Sequence, residues 1–90
     1  MPLIKVRGVT LEYFHEGPES STPFILVHGA GSSASIWNSV QSDLSDSGHE
    51  SYAISLRGAG GSDHTSDTSD YHPSNYALDV LAVLTELGIN

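Results

Sequence analysis

The chain has no cysteine and only three basic residues, Lys5, Arg7 and Arg57, against eleven acidic ones. The first absence removes any disulfide framework, thiolate nucleophile or Cys-based zinc or iron–sulfur site. The second leaves a formal charge of −8, which repels nucleic-acid backbones and anionic membrane surfaces, so neither is an expected partner. No apolar run approaches the roughly 18 residues needed to span a bilayer. The opening residues Met1-Pro2-Leu3-Ile4-Lys5-Val6-Arg7 lack the continuous apolar stretch of a signal peptide, and a soluble, cytoplasmic protein is the expectation. At 90 residues and 38% hydrophobic content, one small domain or a piece of a larger one is the bound. A chain of that size buries only about 60 to 65% of its unfolded surface.

What is present reads as an α/β chain. Residues 3–15 hold two β-prone stretches, Leu3–Val6 and Thr10–Phe14, separated by Gly8, and predict a hairpin. Phe24-Ile25-Leu26-Val27 is apolar without alternation, as expected of a strand buried on both faces of a parallel sheet, and is predicted to be the central one. A glycine turn comes next, making 24–31 a strand-turn unit. Ser33 or Ser35 can then cap a helix over 35–47, with Ile36, Trp37, Val40 and Leu44 at helical spacing and Gly48 as its stop. A second strand is predicted at 51–56, running into the loop Arg57-Gly58-Ala59-Gly60-Gly61-Ser62. The polar stretch with Asp63, His64, Asp67 and Asp70 reads as an exposed loop. A last helix over 75–87, capped by Ser74 and stopped by Gly88, carries the stripe Ala77, Val80, Leu81, Leu84 and Leu87, with Asp79 and Glu86 outside it. The expected sum is a β-hairpin followed by strand, helix, strand, helix of a mostly parallel sheet.

The chemistry-bearing unit is Phe24-Ile25-Leu26-Val27-His28-Gly29-Ala30-Gly31. Where a strand stops and the chain swings toward a helix, backbone N–H groups lose their ladder partners and can point into a cleft at the carboxyl edge of the sheet. Such a donor can hold an oxyanion, and removing one from a hydrolase costs on the order of 2.7 to 4 kcal/mol of transition-state stabilisation.

Four features together resemble the N-terminal part of the α/β-hydrolase superfamily, in its epoxide-hydrolase, haloperoxidase and esterase-like branch. They are the hairpin ending Tyr13-Phe14-His15-Glu16-Gly17, the His28-Gly29-Ala30-Gly31 turn with Trp37 after it, the Leu56–Ser62 loop, and the helix around Tyr76-Ala77-Leu78-Asp79-Val80. The resemblance implies that the backbone N–H of Ala30 supplies one oxyanion-hole donor. It implies turn and cleft support from His28, Gly29, Gly31 and Trp37, and a far wall shaped by Arg57, Gly58, Gly60 and Ser62. The family usually has an aspartate before the Leu-Arg-Gly and often a histidine after it, where this chain has Ser55 and Ala59. Its nucleophile elbow, Gly-x-Ser-x-Gly, matches nothing in the chain and is expected beyond Asn90, together with the triad acid and histidine. The fold is thus expected to be incomplete and the 90 residues inactive alone. The implied reaction is attack by a downstream serine or aspartate on an ester, amide, epoxide or carbon–halogen bond of a small-molecule substrate, with no cofactor. In the family's sheet order, the 24–27 strand lies between the 51–56 strand and one beginning near Ile89. Its open edge would then pair with a partner chain or a second copy.

Blander and rival readings stand beside these. His28 is either a turn-supporting residue or a partly buried histidine satisfied by backbone, Trp37 either cleft or core, and Arg57 either an anion contact or the partner of a nearby carboxylate. His15, His49, His64 and His72 form no metal-binding spacing, and no metal is expected. Gly29-Ala30-Gly31-Ser32-Ser33-Ala34 also matches a dinucleotide fingerprint, but Ser55-Leu56-Arg57 lacks the acidic residue that would grip a ribose. A non-catalytic or split subunit completed by another chain is the remaining alternative.

Overall fold

The computed structural model describes residues 2–20, 22–29, 32–64 and 73–89. Strands β1 (Leu3–Val6) and β2 (Val9–Glu16) form an antiparallel hairpin with Val6 opposite Val9. Its two turn residues both have positive φ, 48° at Arg7 and 81° at Gly8, the mirror-image turn whose twist suits a two-residue loop. β3 (Phe24–Val27) leads to a 3-10 turn (Ala34–Trp37) and helix α1 (Asn38–Asp46). β4 (Ser51–Ile54) and helix α2 (Pro73–Glu86) come after them. The expected exposed loop is described only in part, since Asp67, Asp70 and His72 lie outside the described residues.

The sheet order is β1-β2-β4-β3, with β4 antiparallel to β2 (Tyr13 opposite Ile54) and parallel to β3 (Val27 opposite Ile54). β4 is therefore inside and β3 at the edge, which agrees with the open edge expected from the family's sheet order and corrects the expectation that Phe24–Val27 is central and buried on both faces. Phe24 is 46% and Val27 38% exposed. Parallel pairing turns the backbone groups of alternate residues to the same side. Phe24 donates to the Glu50 carbonyl at 2.9 Å, so Ile25 and Val27 present their N–H and C=O groups away from β4.

Alternation along the strands gives the sheet two unlike faces. The α2 side is apolar: Val6, Val9, Leu11, Ile54 and Val83 form the buried cluster, with Ile4, Tyr13, Ile25, Val80, Ala82 and Leu87 against it. The α1 side is small and polar. There Gln41, 1% exposed, donates to the Phe14 carbonyl at 2.9 Å and to Ser51 Oγ at 3.2 Å. Ile36 and Val40, expected to face inward, are 63% and 40% exposed. The cause is the 3-10 turn: three residues per turn instead of 3.6 shifts the phase of the helical positions after it.

The helix α2 also rotates away from the apolar stripe read from sequence. Asp79, expected to face solvent, is fully buried, and Val83 one turn later lies in the core, while Leu78 and Leu81 are 46% and 59% exposed. The reason is an ion pair. Arg57 grips Asp79 with both ends of its guanidinium, Nε to Oδ2 at 2.7 Å and Nη2 to Oδ1 at 2.8 Å. Arg7 adds Nη1 to Oδ1 at 2.9 Å and reaches the Asn75 side chain at 3.2 Å. Both helices end in backbone closures, His49 N–H to the Leu44 carbonyl and Ile89 N–H to the Leu84 carbonyl, each at 2.8 Å.

Asp79→Ala leaves Arg57 buried without this carboxylate and is expected to cost about 3 to 5 kcal/mol. That is a large part of the roughly 5 to 13 kcal/mol available to a chain of this length. Arg7→Ala, at the more exposed partner, should cost about 1 kcal/mol or less. Urea unfolding followed by circular dichroism orders the two, and equal losses would show that the Arg57 pair does not dominate.

Candidate functional site

The carboxyl ends of the parallel strands β3 and β4 deliver His28 and Ser55 side by side. His28 is 8% exposed. Its Nε2 lies 2.9 Å from the backbone nitrogen of Leu56, and its Nδ1 lies 2.7 Å from the carbonyl oxygen of Gly29. An amide N–H can only donate and a carbonyl can only accept. The ring is therefore neutral, with its proton on Nδ1, and ties the turn after β3 to the turn after β4. Both ring nitrogens are engaged, so His28 is a support and not a free base.

The connection from β3 to the first helical turn is described at both ends. Gly29 accepts from the Ser32 N–H at 3.2 Å, and Ala34, fully buried, donates its N–H to Ser55 Oγ at 2.9 Å. Ala30 and Gly31 lie outside the described residues. The Arg57–Ser62 loop is closed by Gly58 N–H to the Asp63 carbonyl at 2.7 Å and by Ser62 N–H to the Ala59 carbonyl at 3.0 Å. Arg57 faces Asp79 in the interior and Ser62 is 3% exposed. Trp37 is half-buried, and its indole N–H is buried with no acceptor among the described residues. The structure thus brings His28, Ser62 and Gly60 together around Ser55, with Gly29 joined to them through His28. It takes Arg57 to the far side of its loop.

Two participants have roles that the sequence motifs do not reveal. Glu12, 4% exposed on β2, accepts the Ser55 hydroxyl at 2.7 Å, and its own N–H donates to Ser62 Oγ at 2.8 Å. The one hint of it is an acidic residue between Leu11 and Tyr13 in a strand with neighbours on both sides. The second is Asp79. Among the described residues a 3-10 turn begins at Ala34 and α1 only at Asn38, so the α-helix N-terminus that would receive a pyrophosphate starts several residues past Gly29.

A second constellation occupies the opposite, amino-terminal edge of the parallel strands. Glu50, 5% exposed, bonds His15 Nε2 at 2.7 Å through one oxygen and accepts the Ser20 N–H at 3.0 Å through the other. His15 stacks on Tyr52 at 4.5 Å, beside a cleft of about 520 Å³ lined also by Glu19, Pro23 and Leu87. The hydrogen bond to His15 holds the Glu50 carboxyl below its ordinary value, against the opposing effect of burial. Burial and the Glu50 charge push the Tyr52 phenol up. Both carboxylate oxygens are engaged, which makes this a clasp between strand ends and not a free acid or base. Among the described residues no group of three or more His, Cys, Asp or Glu is placed to hold a metal ion, and no helix is long and apolar enough to cross a membrane.

The sequence profile of the alpha/beta hydrolase fold family matches residues 22–90, and the chain belongs to that family. It is 30% identical over 80 residues to a haloalkane dehalogenase from Psychrobacter cryohalolentis, covering 89% of this chain and 26% of that protein. Its structure is similar to that of an epoxide hydrolase from Vigna radiata, with a TM-score of 0.86 and 25% identity over 98% of this chain and 28% of that one. A hypothetical protein from Pseudomonas aeruginosa PAO1 gives a TM-score of 0.85 at 30% identity, over 97% of this chain and 30% of that one. The chain therefore spans between a quarter and a third of the length of these relatives.

The Glu50 clasp sets an acid limit. A carboxyl whose folded pKa lies below its unfolded value stabilises fully above that unfolded value, and the contribution is lost as the pH falls through the folded one. Stability of the chain is therefore expected to fall below the ordinary glutamate value of 4.5, and Glu50→Gln should flatten that decline. Thermal unfolding of both forms from pH 7 to pH 3 checks this, and parallel curves would contradict it.

Proposed function

We propose that this chain is the oxyanion-side portion of an α/β-hydrolase, with the Ala30 N–H as one donor to the developing negative charge and the nucleophile supplied from outside these 90 residues. The observation that carries the reading is the supported turn at the carboxyl edge of the parallel strands. There His28 is locked between Gly29 and Leu56, and Ser55 holds the Ala34 amide. The reaction class is displacement by a serine or aspartate at an ester, amide, epoxide or carbon–halogen bond. The relatives named haloalkane dehalogenase and epoxide hydrolase favour the latter two bonds. A small-molecule substrate, no cofactor and a cytoplasmic location complete the reading.

The 90 residues alone should show no triad-dependent turnover of ester, epoxide or haloalkane substrates, because positioning without a nucleophile leaves only residual catalysis. Incubating the purified chain with a serine-reactive phosphonate and mapping adducts by mass spectrometry is the test. Stoichiometric labelling of one serine would sink the proposal.

The open edge of β3 supports a second element of the proposal, pairing with another strand. Ile25 and Val27 offer ladder groups without a neighbour among the described residues, flanked by the exposed Phe24 side chain. The chain by itself is expected to self-associate at micromolar concentrations and above. Val27→Lys, which places a charge on that edge, should shift the population toward monomer. Sedimentation equilibrium of the two forms decides, and a wild-type chain that stays monomeric across the range would remove this element.

A further inference from the structure

Position 55 carries serine where the family usually has aspartate, yet the structure brings a carboxylate there by another route. Glu12 reaches across from β2, and its Oε1 accepts the Ser55 hydroxyl at 2.7 Å. Ser55 Oγ accepts the Ala34 N–H at 2.9 Å. A hydroxyl has one proton and an amide N–H can only donate, so the direction is forced. The Ser55 proton goes to Glu12 and its lone pair faces Ala34. Ser62 repeats the arrangement one step away: it accepts the Glu12 N–H at 2.8 Å and donates to the Ser55 carbonyl at 2.7 Å. The loop closes over this pair at Gly60. A Cβ there would stand 2.5 Å from Glu12 Oε1 and 3.0 Å from Ser55 Oγ, so that approach requires glycine.

We propose that Glu12 and Ser55 together replace the family's single aspartate, as positioning residues that hold the Ala34 amide and with it the helical end of the connection from His28. The carboxylate behind the hydroxyl polarises it and makes Oγ a stronger acceptor for Ala34 than a serine alone. The functional weight of this pair rests on the hydrolase reading above, because the connection it anchors contains Ala30. The pair also carries a rule: one carboxylate belongs in this space, on position 12 or on position 55. None leaves the Ala34 bond unsupported, and two place like charges together in a buried site.

The test compares the full chain with Glu12→Ala, Ser55→Asp and the double variant by hydrogen exchange and mass spectrometry. It tracks the peptide containing Ala34, with peptides from the β1–β2 hairpin reporting global opening. Each single variant is expected to exchange at Ala34 roughly tenfold faster, the equivalent of one hydrogen bond lost. The double variant, with its single carboxylate restored, should return to within about threefold of the wild type. Unchanged exchange in either single variant, or a double variant as fast as or faster than the singles, overturns the proposal. Should the single variants unfold the whole chain, recovery of native structure in the double supports the proposal and its failure to recover overturns it. Exchange needs no catalysis, so failure here leaves the hydrolase reading standing. Serine labelling of the chain would sink that reading without touching this pair.

Discussion

Asp79 is a carboxylate with no access to solvent, and the requirements of a buried charge set the arrangement of the α2 side of the sheet. An ionised carboxylate is tolerated inside only when its oxygens are matched by donors of opposite charge. Arg57 matches both oxygens and Arg7 adds a third bond. Two of the three cations in a chain of net charge −8 are thus committed to one acid. The contacts join the hairpin tip, the start of the glycine loop and the middle of α2, across 72 and 22 residues of sequence. Arg7 takes part from a left-handed backbone conformation set by the hairpin turn, which costs about 1 to 2 kcal/mol in a residue with a side chain.

Seen from sequence, these three segments carry their family signals and little sign of their mutual contact. The hairpin residues, the apolar run before His28 and the glycine loop are local patterns, and local patterns are what periodicity and turn chemistry report. Asp79 and Glu12 are opaque for one reason. Helical and strand periodicity is read from apolar residues, and an acid is assigned to solvent unless its partner is known. The partners here lie many residues away. Ile36 and Val40 mislead for a geometrical reason, since helical spacing carried through a 3-10 turn loses its phase. The open edge of β3 follows from the family's sheet order and not from the apolar run: four apolar residues in a row describe a strand that can be covered, and Phe24 and Val27 remain partly open.

The two faces of the sheet divide the work. The α2 side holds the apolar cluster and resists unfolding by burial of surface. The α1 side holds Glu12, Gln41, Ser51 and Ser55, all nearly or fully buried, and each is hydrogen-bonded. Directional bonds fix the position of an attached backbone more narrowly than apolar contacts do, because they fail within a few tenths of an ångström and a few tens of degrees. The turn after β3 is therefore anchored on the side of the sheet where geometry, and not burial alone, is specified.

His28 completes this logic at the strand ends. Its two nitrogens are used by one donor and one acceptor of the backbone, and only the neutral tautomer with the proton on Nδ1 satisfies both. A histidine so engaged cannot also exchange protons with a substrate without breaking one of the two bonds that hold its own turn. The histidine of the turn after β3 is thereby set apart from the role of a triad base by its hydrogen bonds alone. Any such base must come from residues other than those that build the turn.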